Sequence, residues 1–267
     1  MLFKNGGYRK LGICNMNKDE LKAAWQKEEN TAHIKGWNFS HIRGCYAKEK
    51  DWPWDYDAVV RSYLNPDMRL LDYDTGGGEY LLSLCHPYKK TAATEGYPPN
   101  VELCQMKLSS LGIDFKECRD PSHVPFEDNS FDMIINRHGG FDPNETYRLL
   151  RSGRVFVTEQ IGRDNDRDLV KSVLPELEAP FPDLYLDKQK SRFAEAGFQI
   201  VQAEEAYRRI YFYDVSTFVW FARIIEWEFP GFSVDRCFDR LLELQKTIEE
   251  KGKIEGTMHR YLLVARK

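Results

Sequence analysis

The stretch Leu70-Leu71-Asp72-Tyr73-Asp74-Thr75-Gly76-Gly77-Gly78-Glu79-Tyr80-Leu81-Leu82 constrains this chain more than any other. An apolar run ends in an acid, three glycines follow, and a helix-like run opens. Strand, glycine turn and helix form the repeating unit of open sheets that bind ligands at the carboxyl ends of their strands. Glycine permits the sharp turn and lets a ligand approach the backbone closely. Further apolar runs read as strands: Arg69–Tyr73, Lys90–Glu95, Phe131–Asn136, Val155–Glu159 and Phe198–Val201. Asn100–Leu111 and Asp187–Ala196 read as helices between them, with Gly112 and Gly197 where helix ends favour a left-handed residue. This alternation predicts an α/β fold with a mostly parallel sheet covered on both faces.

Two flanking zones differ in texture. Residues 1–54 are polar and hold one helix, capped by Asn17 or Asp19 and carrying Leu21, Ala24, Trp25 and Glu28 at helical spacing. An aromatic segment follows, with Trp37, Phe39, Trp52 and Trp54. Residues 55–267 make up the main domain, interrupted by a helical insert at about 211–256. Within the insert, Val215–Trp227 is strongly apolar, Ser233 can cap a second helix, and Gly252 ends it. Tyr261–Ala265 reads as a last strand returning to the sheet. Arg148, Arg151 and Arg154 follow helical spacing and predict a solvated face.

Composition narrows the function. Lys plus Arg is 38 and Asp plus Glu is 42, a net charge of −4, which gives no global pull toward nucleic acid or anionic membrane. No apolar run reaches the roughly 18 residues of a membrane span, and the first residues hold no apolar signal core. Six cysteines without a C-x-x-C pair predict a reduced cytoplasmic interior and no metal site.

The glycine loop selects a ligand by exclusion. A nicotinamide-type G-x-G-x-x-G/A reading begun at Gly76 places Leu81 at its last position, and no G-K-[ST] follows. What remains is Asp72, four residues before Gly76, and a second acid, Glu95, 23 residues after Asp72. That offset is near the ~20 residues at which a ribose-binding acid follows a glycine loop. A carboxylate on a ribose diol, without a pyrophosphate on the loop, fits a nucleoside-type cofactor.

These residues resemble the class I S-adenosylmethionine-dependent methyltransferases, and in particular small bacterial methyltransferase-domain proteins of ubiquinone-biosynthesis type. The resemblance rests on the glycine loop, on Thr94–Val101, on Asp120 with Val124–Asp132, and on Leu149–Phe156. It implies a Rossmann-like, doubly wound, seven-stranded sheet with an antiparallel last strand, and S-adenosyl-L-methionine as cofactor. By this resemblance Asp72 with Thr75, Gly76 and Gly78 would hold the methionine part, and Glu95, followed by Gly96, the ribose. Asp120, followed by Pro121, would meet adenine; Asn136 would lie beside the methionine moiety, and Trp37 would lie near the cofactor. Asp74 stands where the family usually has glycine, Pro121 removes a backbone donor, and Gly139 stands where close relatives often carry an acid after the histidine.

Methyl transfer from a sulfonium needs alignment, exclusion of water and, for some acceptors, removal of a proton. Asn136–Asp142 is the expected place, with His138 as base and Arg137 orienting an anionic acceptor or pairing with a helix acid. Glu159 is a reserve base. The acceptor is expected to be a small molecule, with the insert and the Trp37–Trp54 segment roofing the site. A homodimer through Val215–Trp227, a catalytically silent relative and a ribosomal-RNA methyltransferase remain as alternatives.

Overall fold

The structure, a computed structural model, describes residues 16–33 and 39–267. In chain order its principal elements are α1 (Lys18–Thr31), β1 (Tyr46–Lys48), α2 (Tyr56–Tyr63), β2 (Leu70–Asp72), α3 (Glu79–Ser83), β3 (Thr91–Glu95) and α4 (Pro98–Lys107). There follow β4 (Asp114–Glu117), β5 (Phe131–Arg137), α5 (Pro143–Leu149), β6 (Leu150–Ile161), α6 (Arg167–Val173), α7 (Leu186–Glu195) and β7 (Gln199–Phe212). The last elements are α8 (Val215–Ile224), α9 (Val234–Lys251) and β8 (Ile254–Arg266).

One sheet has the order β1-β7-β8-β6-β5-β2-β3-β4. Strands β2 to β6 pair in parallel, as the buried apolar runs predict. β8 lies antiparallel between β6 and β7, and β1 pairs antiparallel with β7. The sheet therefore has eight strands and not seven. The extra one, Tyr46–Lys48, is three residues long and only partly buried, so it carries no apolar alternation to betray it.

Alternate residues of the central strands feed two cores. Leu70, Met133, Ile135 and Val157 pack under α2, α3 and α4, with Val60, Leu81 and Leu108. Leu71, Ile134 and Phe156 point the other way, against Leu149 of α5 and Phe193 of α7. The arginine triplet is not a helix face. α5 stops at Leu149, and Arg151 and Arg154 lie on β6, where both clasp Asp132 at 2.7 and 3.2 Å.

β7 and β8 are longer than their apolar runs suggest. β8 pairs with β6 only from Arg260 onward but with β7 from Ile254, so the hairpin overhangs the carboxyl edge of the sheet. α8 and α9 cap this overhang. Ser233 Oγ accepts from Arg236 N at 3.1 Å to start α9, and Gly252, at φ 77°, ends it. The apolar helix ends at Ile224, and most of its side chains are buried within the chain. α1 starts on a reciprocal Asn17–Glu20 cap and lays Leu21 and Trp25 on this third core. The N-terminal helix is thus docked on the insert.

Trp25 is 1% exposed and its ring lies 5.8 Å from that of Phe238. Truncating a buried tryptophan costs about 3–5 kcal/mol. Trp25→Ala should lower the unfolding free energy in urea by an amount in that range. A loss under about 1 kcal/mol would mean that α1 is not part of the packed core.

Candidate functional site

The glycine turn sits at the carboxyl end of β2, against β3. Thr75 N donates to Thr94 O at 2.8 Å, and Thr75 Oγ1 donates to Asp72 Oδ2 at 2.5 Å. Gly76 and Gly78 have φ of 65° and 73°, a region costly for other residues. A side chain at Gly78 would also meet Leu108 Cδ2 at 2.9 Å, so this glycine lets α3 pack close to the end of α4.

Glu95, at the end of β3, ties the turn together. Its Oε2 accepts from Gly76 N at 2.7 Å, and its Oε1 accepts from Gly96 N at 2.9 Å and Tyr97 N at 2.8 Å. Gly96 is needed for this approach, because a Cβ there would lie 2.5 Å from the Cys118 carbonyl oxygen. Burial raises the Glu95 carboxyl to about 7, with the Asp74 charge adding to it and the backbone donors opposing. Asp72 is likewise raised to about 7, chiefly by burial, with Thr75 opposing and Asp74 adding.

Asp74 and Gly139, two departures from the family pattern, belong together. Asp74 adopts φ 61°, and its Oδ2 accepts from Gly140 N at 3.0 Å. A Cβ at residue 139 would lie 2.6 Å from Asp74 Cβ. The Asp74 side chain therefore fills the space that a side chain at 139 would need, and it latches the β2 turn to the loop after β5.

The other expected cofactor residues are placed less simply. Asp120 is exposed, and its carboxylate is taken by Ser122 N at 2.9 Å, Ser122 Oγ at 2.7 Å and His123 Nδ1 at 3.0 Å. The Ser122 hydrogen bonds, then His123, hold it at about 2. The carbonyl of Pro121 accepts from the Tyr73 hydroxyl. Asn136 is fully buried and points into the sheet. Its Nδ2 donates to Tyr73 O at 2.6 Å, and its Oδ1 accepts from Thr158 Oγ1 and Gln160 Nε2. Its side chain braces β2, β5 and β6, and its backbone carbonyl accepts from Tyr56 OH at 3.1 Å. Trp37 lies outside the described residues. Phe39 packs on Trp220 and Phe221 of the insert.

Arg137 and His138 converge on Glu159. Arg137 Nε lies 3.0 Å from Glu159 Oε1, and its guanidinium stands over the rings of Tyr56 and Tyr80 at 5.3 and 5.7 Å. Its partner is thus a strand acid, not a helix acid. His138 Nε2 lies 3.5 Å from the same oxygen. The acid missing at residue 139 is supplied by Glu159, one strand over. Trp54 Nε1 donates to Glu159 Oε2 at 2.7 Å and stacks on Trp52, so the aromatic segment does reach the strand ends. Nothing in the sequence joins Trp54, Tyr56 and Tyr80 to this acid; only the fold brings them together. Packing first, then the charges of Arg260, Arg137 and Lys48, push His138 well below the usual histidine range. Its surroundings therefore favour the neutral imidazole.

The family described as "Methyltransferase domain" matches residues 71–157, the segment from the glycine turn through β6. A curated Mycobacterium ulcerans protein, "Probable phthiotriol/phenolphthiotriol dimycocerosates methyltransferase 2", is 31% identical over 93 residues, covering 32% of this chain and 35% of that protein. The chain thus spans about a third of the length of this curated relative. Among solved structures, a "putative methyltransferase" from Bacillus halodurans aligns with a TM-score of 0.57 at 16% identity, over 80% of this chain and 98% of that one. The YcgJ protein of Bacillus subtilis aligns with a TM-score of 0.52 at 16% identity, over 79% and 97%. At these identities the two structures speak to the fold alone.

The raised carboxyls have a consequence for stability. A carboxyl whose folded pKa is about 7, against about 4 unfolded, binds its proton more tightly in the folded state. Its contribution is complete below pH ~4 and is lost as pH rises to about 7. Asp72→Asn removes the titration. Its stability relative to the parent chain should therefore rise between pH 5 and pH 8, by on the order of 1–4 kcal/mol, in paired thermal melts. A difference that stays constant with pH would show that Asp72 ionises normally.

Proposed function

We propose that the chain transfers a methyl group from S-adenosyl-L-methionine to a small-molecule acceptor, a reading supported by the match of residues 71–157 to the family described as a methyltransferase domain. One observation carries this reading: the Glu95 carboxylate meets the glycine turn after β2, with Gly76 N donating to it at 2.7 Å. The Glu95 acid, a glycine backbone and the Asp72 carboxylate thus meet at one point on the sheet edge. The residues fit the cofactor. Glu95 Oε2 accepts one bond and keeps a second lone pair, and among the described residues the Gly77 N–H meets no acceptor. Asp72, Thr75, Gly76 and Gly78 would hold the methionine part, and Glu95 with Gly96 the ribose. Asp120, with Pro121, would meet adenine. The Asp72 and Glu95 carboxylates suit a cationic ligand.

Bound there, S-adenosylmethionine supplies an activated methyl group that needs no further activation by the protein. The protein's part is to orient the acceptor and take its proton. His138 is the base, because its ring lies beside the Glu159 carboxylate, which can stabilise the imidazolium. Glu159 is a positioning residue, held by Trp54 and Arg137. Trp52, Trp54 and the insert wall the site against water. No helix among the described residues is long and apolar enough to cross a membrane. A soluble acceptor in the cytoplasm is part of the proposal.

Asp74 favours a second reading, a methyltransferase-fold protein that binds without catalysis. Its carboxylate adds negative charge beside Glu95 and beside any ligand carboxylate. Calorimetric titration with S-adenosylmethionine and S-adenosylhomocysteine separates the two. Binding by the native chain supports the enzyme. No heat and no thermal shift at millimolar ligand sinks it, and binding gained only in Asp74→Gly favours the silent protein.

Glu95→Gln keeps the shape and replaces one acceptor oxygen by a donor amide. Hydrogen bonds to a charged group contribute roughly 1.5–3 kcal/mol, so cofactor affinity should fall about ten- to a hundredfold. Unchanged affinity in a folded variant would remove Glu95 from the site.

A further inference from the structure

Two side chains compete for one oxygen of Glu159. Oε2 accepts from Trp54 Nε1 at 2.7 Å, while Oε1 lies 3.0 Å from Arg137 Nε and 3.5 Å from His138 Nε2. Arg137 donates a hydrogen bond of ordinary length, and 3.5 Å is too long for a strong one from the imidazole. Turning the carboxylate to serve both would break the bond to Trp54. The Glu159 side chain is 8% exposed, so water has little access to relieve the competition.

The backbone fixes both rivals. Arg137 pairs in register with Glu159 across β5 and β6, and its guanidinium stands over the Tyr56 and Tyr80 rings. His138 follows at φ 61°, a left-handed conformation that residues with a side chain seldom adopt. Its N–H donates to the Glu159 carbonyl at 3.0 Å, which holds that turn in place. Strain of this kind persists where the surroundings over-determine it, and here it sets the ring beside the carboxylate.

The two ring nitrogens are therefore unlike. Nε2 faces Glu159. Nδ1 meets no hydrogen-bond partner among the described residues, and the side chain is 30% exposed. A carboxylate beside Nε2 keeps the hydrogen of the neutral ring there and leaves the lone pair on Nδ1.

Arg137 sets how strongly the carboxylate acts on the ring. With Oε1 to itself, His138 would gain a close counter-charge and hold a proton before any acceptor arrived. With Oε1 shared, the other neighbours prevail. Arg260 of β8 and Lys48 of β1 add positive charge, and Asp74 of the glycine turn is engaged with Gly140 N at 3.0 Å.

We propose that His138 takes the acceptor's proton on Nδ1, and that Arg137 is a positioning residue that keeps this base in its proton-accepting form by competing with it for Glu159 Oε1. The Nδ1 lone pair becomes the new N–H bond, and the electron pair of the broken bond stays on the acceptor atom. Nε2 keeps its own hydrogen, and the positive charge gained by the ring lies 3.5 Å from Oε1. This rests on the methyltransferase reading for the word base, but protonation of the ring can be followed without cofactor.

The test is nitrogen NMR of the full chain with isotope-labelled histidine, through a pH titration. The His138 signal is assigned by its loss in His138→Gln. In the parent chain the neutral ring should carry its hydrogen on Nε2, a result that needs no destabilising variant. Arg137→Gln should raise the proton affinity of His138 about tenfold, and Glu159→Gln should lower it. In the Glu159→Gln background, the same Arg137→Gln change should raise it by no more than about threefold, because the contested charge is gone and only direct repulsion is relieved. Amide spectra check that each variant is folded. A neutral ring with its hydrogen on Nδ1 overturns the choice of accepting nitrogen. A rise on Arg137→Gln that is absent, or equal in the two backgrounds, overturns the competition. Neither measurement uses cofactor, so a parent chain that fails to bind S-adenosylhomocysteine sinks the methyltransferase reading without touching this result.

Discussion

The Glu95 carboxylate is the constraint on which the candidate site depends. It is almost wholly buried, and it reaches from the end of β3 to the backbone of the glycine turn after β2. Three backbone N–H groups satisfy it, and together they close two loops over one point of the sheet edge. A buried carboxylate without such donors would be far more costly. The arrangement in turn dictates Gly76 at its positive φ and Gly96 where the β4 end comes within 2.5 Å of a would-be Cβ. The turn carries no phosphate-binding pattern, so a carboxylate rather than a pyrophosphate is what the glycines organise.

A second constraint sets the other half of the site. β5 and β6 end side by side, and Arg137 pairs with Glu159 in register. Glu159 then collects Arg137, His138 and Trp54 around one carboxylate. Asp74 links this half to the first through Gly140 N. The overhanging β7–β8 hairpin and the helices it carries stand beside these strand ends, and α1 and β1 close the far side of that wall.

Much of the fold was legible because burial on both faces leaves near-continuous apolar runs, and β2, β3, β5 and the core of β6 are of that kind. β1 and β4 escaped because edge strands are short and half exposed. Only the start of β7 was legible, in Phe198–Val201, because the rest is partly buried and its residues alternate with charge. In the site, Asp72, Glu95 and the glycines were legible because their spacing along one strand–turn–helix unit is local. The Glu159 partnership was not, because residue 159 is adjacent to Arg137 only through strand pairing. The bracing role of Asn136 was not legible either, because its amide bonds to Tyr73, Thr158 and Gln160 exist only through strand pairing.

The central claim is that Glu95 turns from bracing the glycine loop to holding a ribose. A crystal structure of the chain with S-adenosylhomocysteine tests it directly. The account predicts both ribose hydroxyls within about 2.6–3.2 Å of the Glu95 carboxylate oxygens, with the methionine part over the Thr75–Gly78 backbone. Ligand density elsewhere, with Glu95 still bonded only to Gly76, Gly96 and Tyr97 backbone nitrogens, would contradict it.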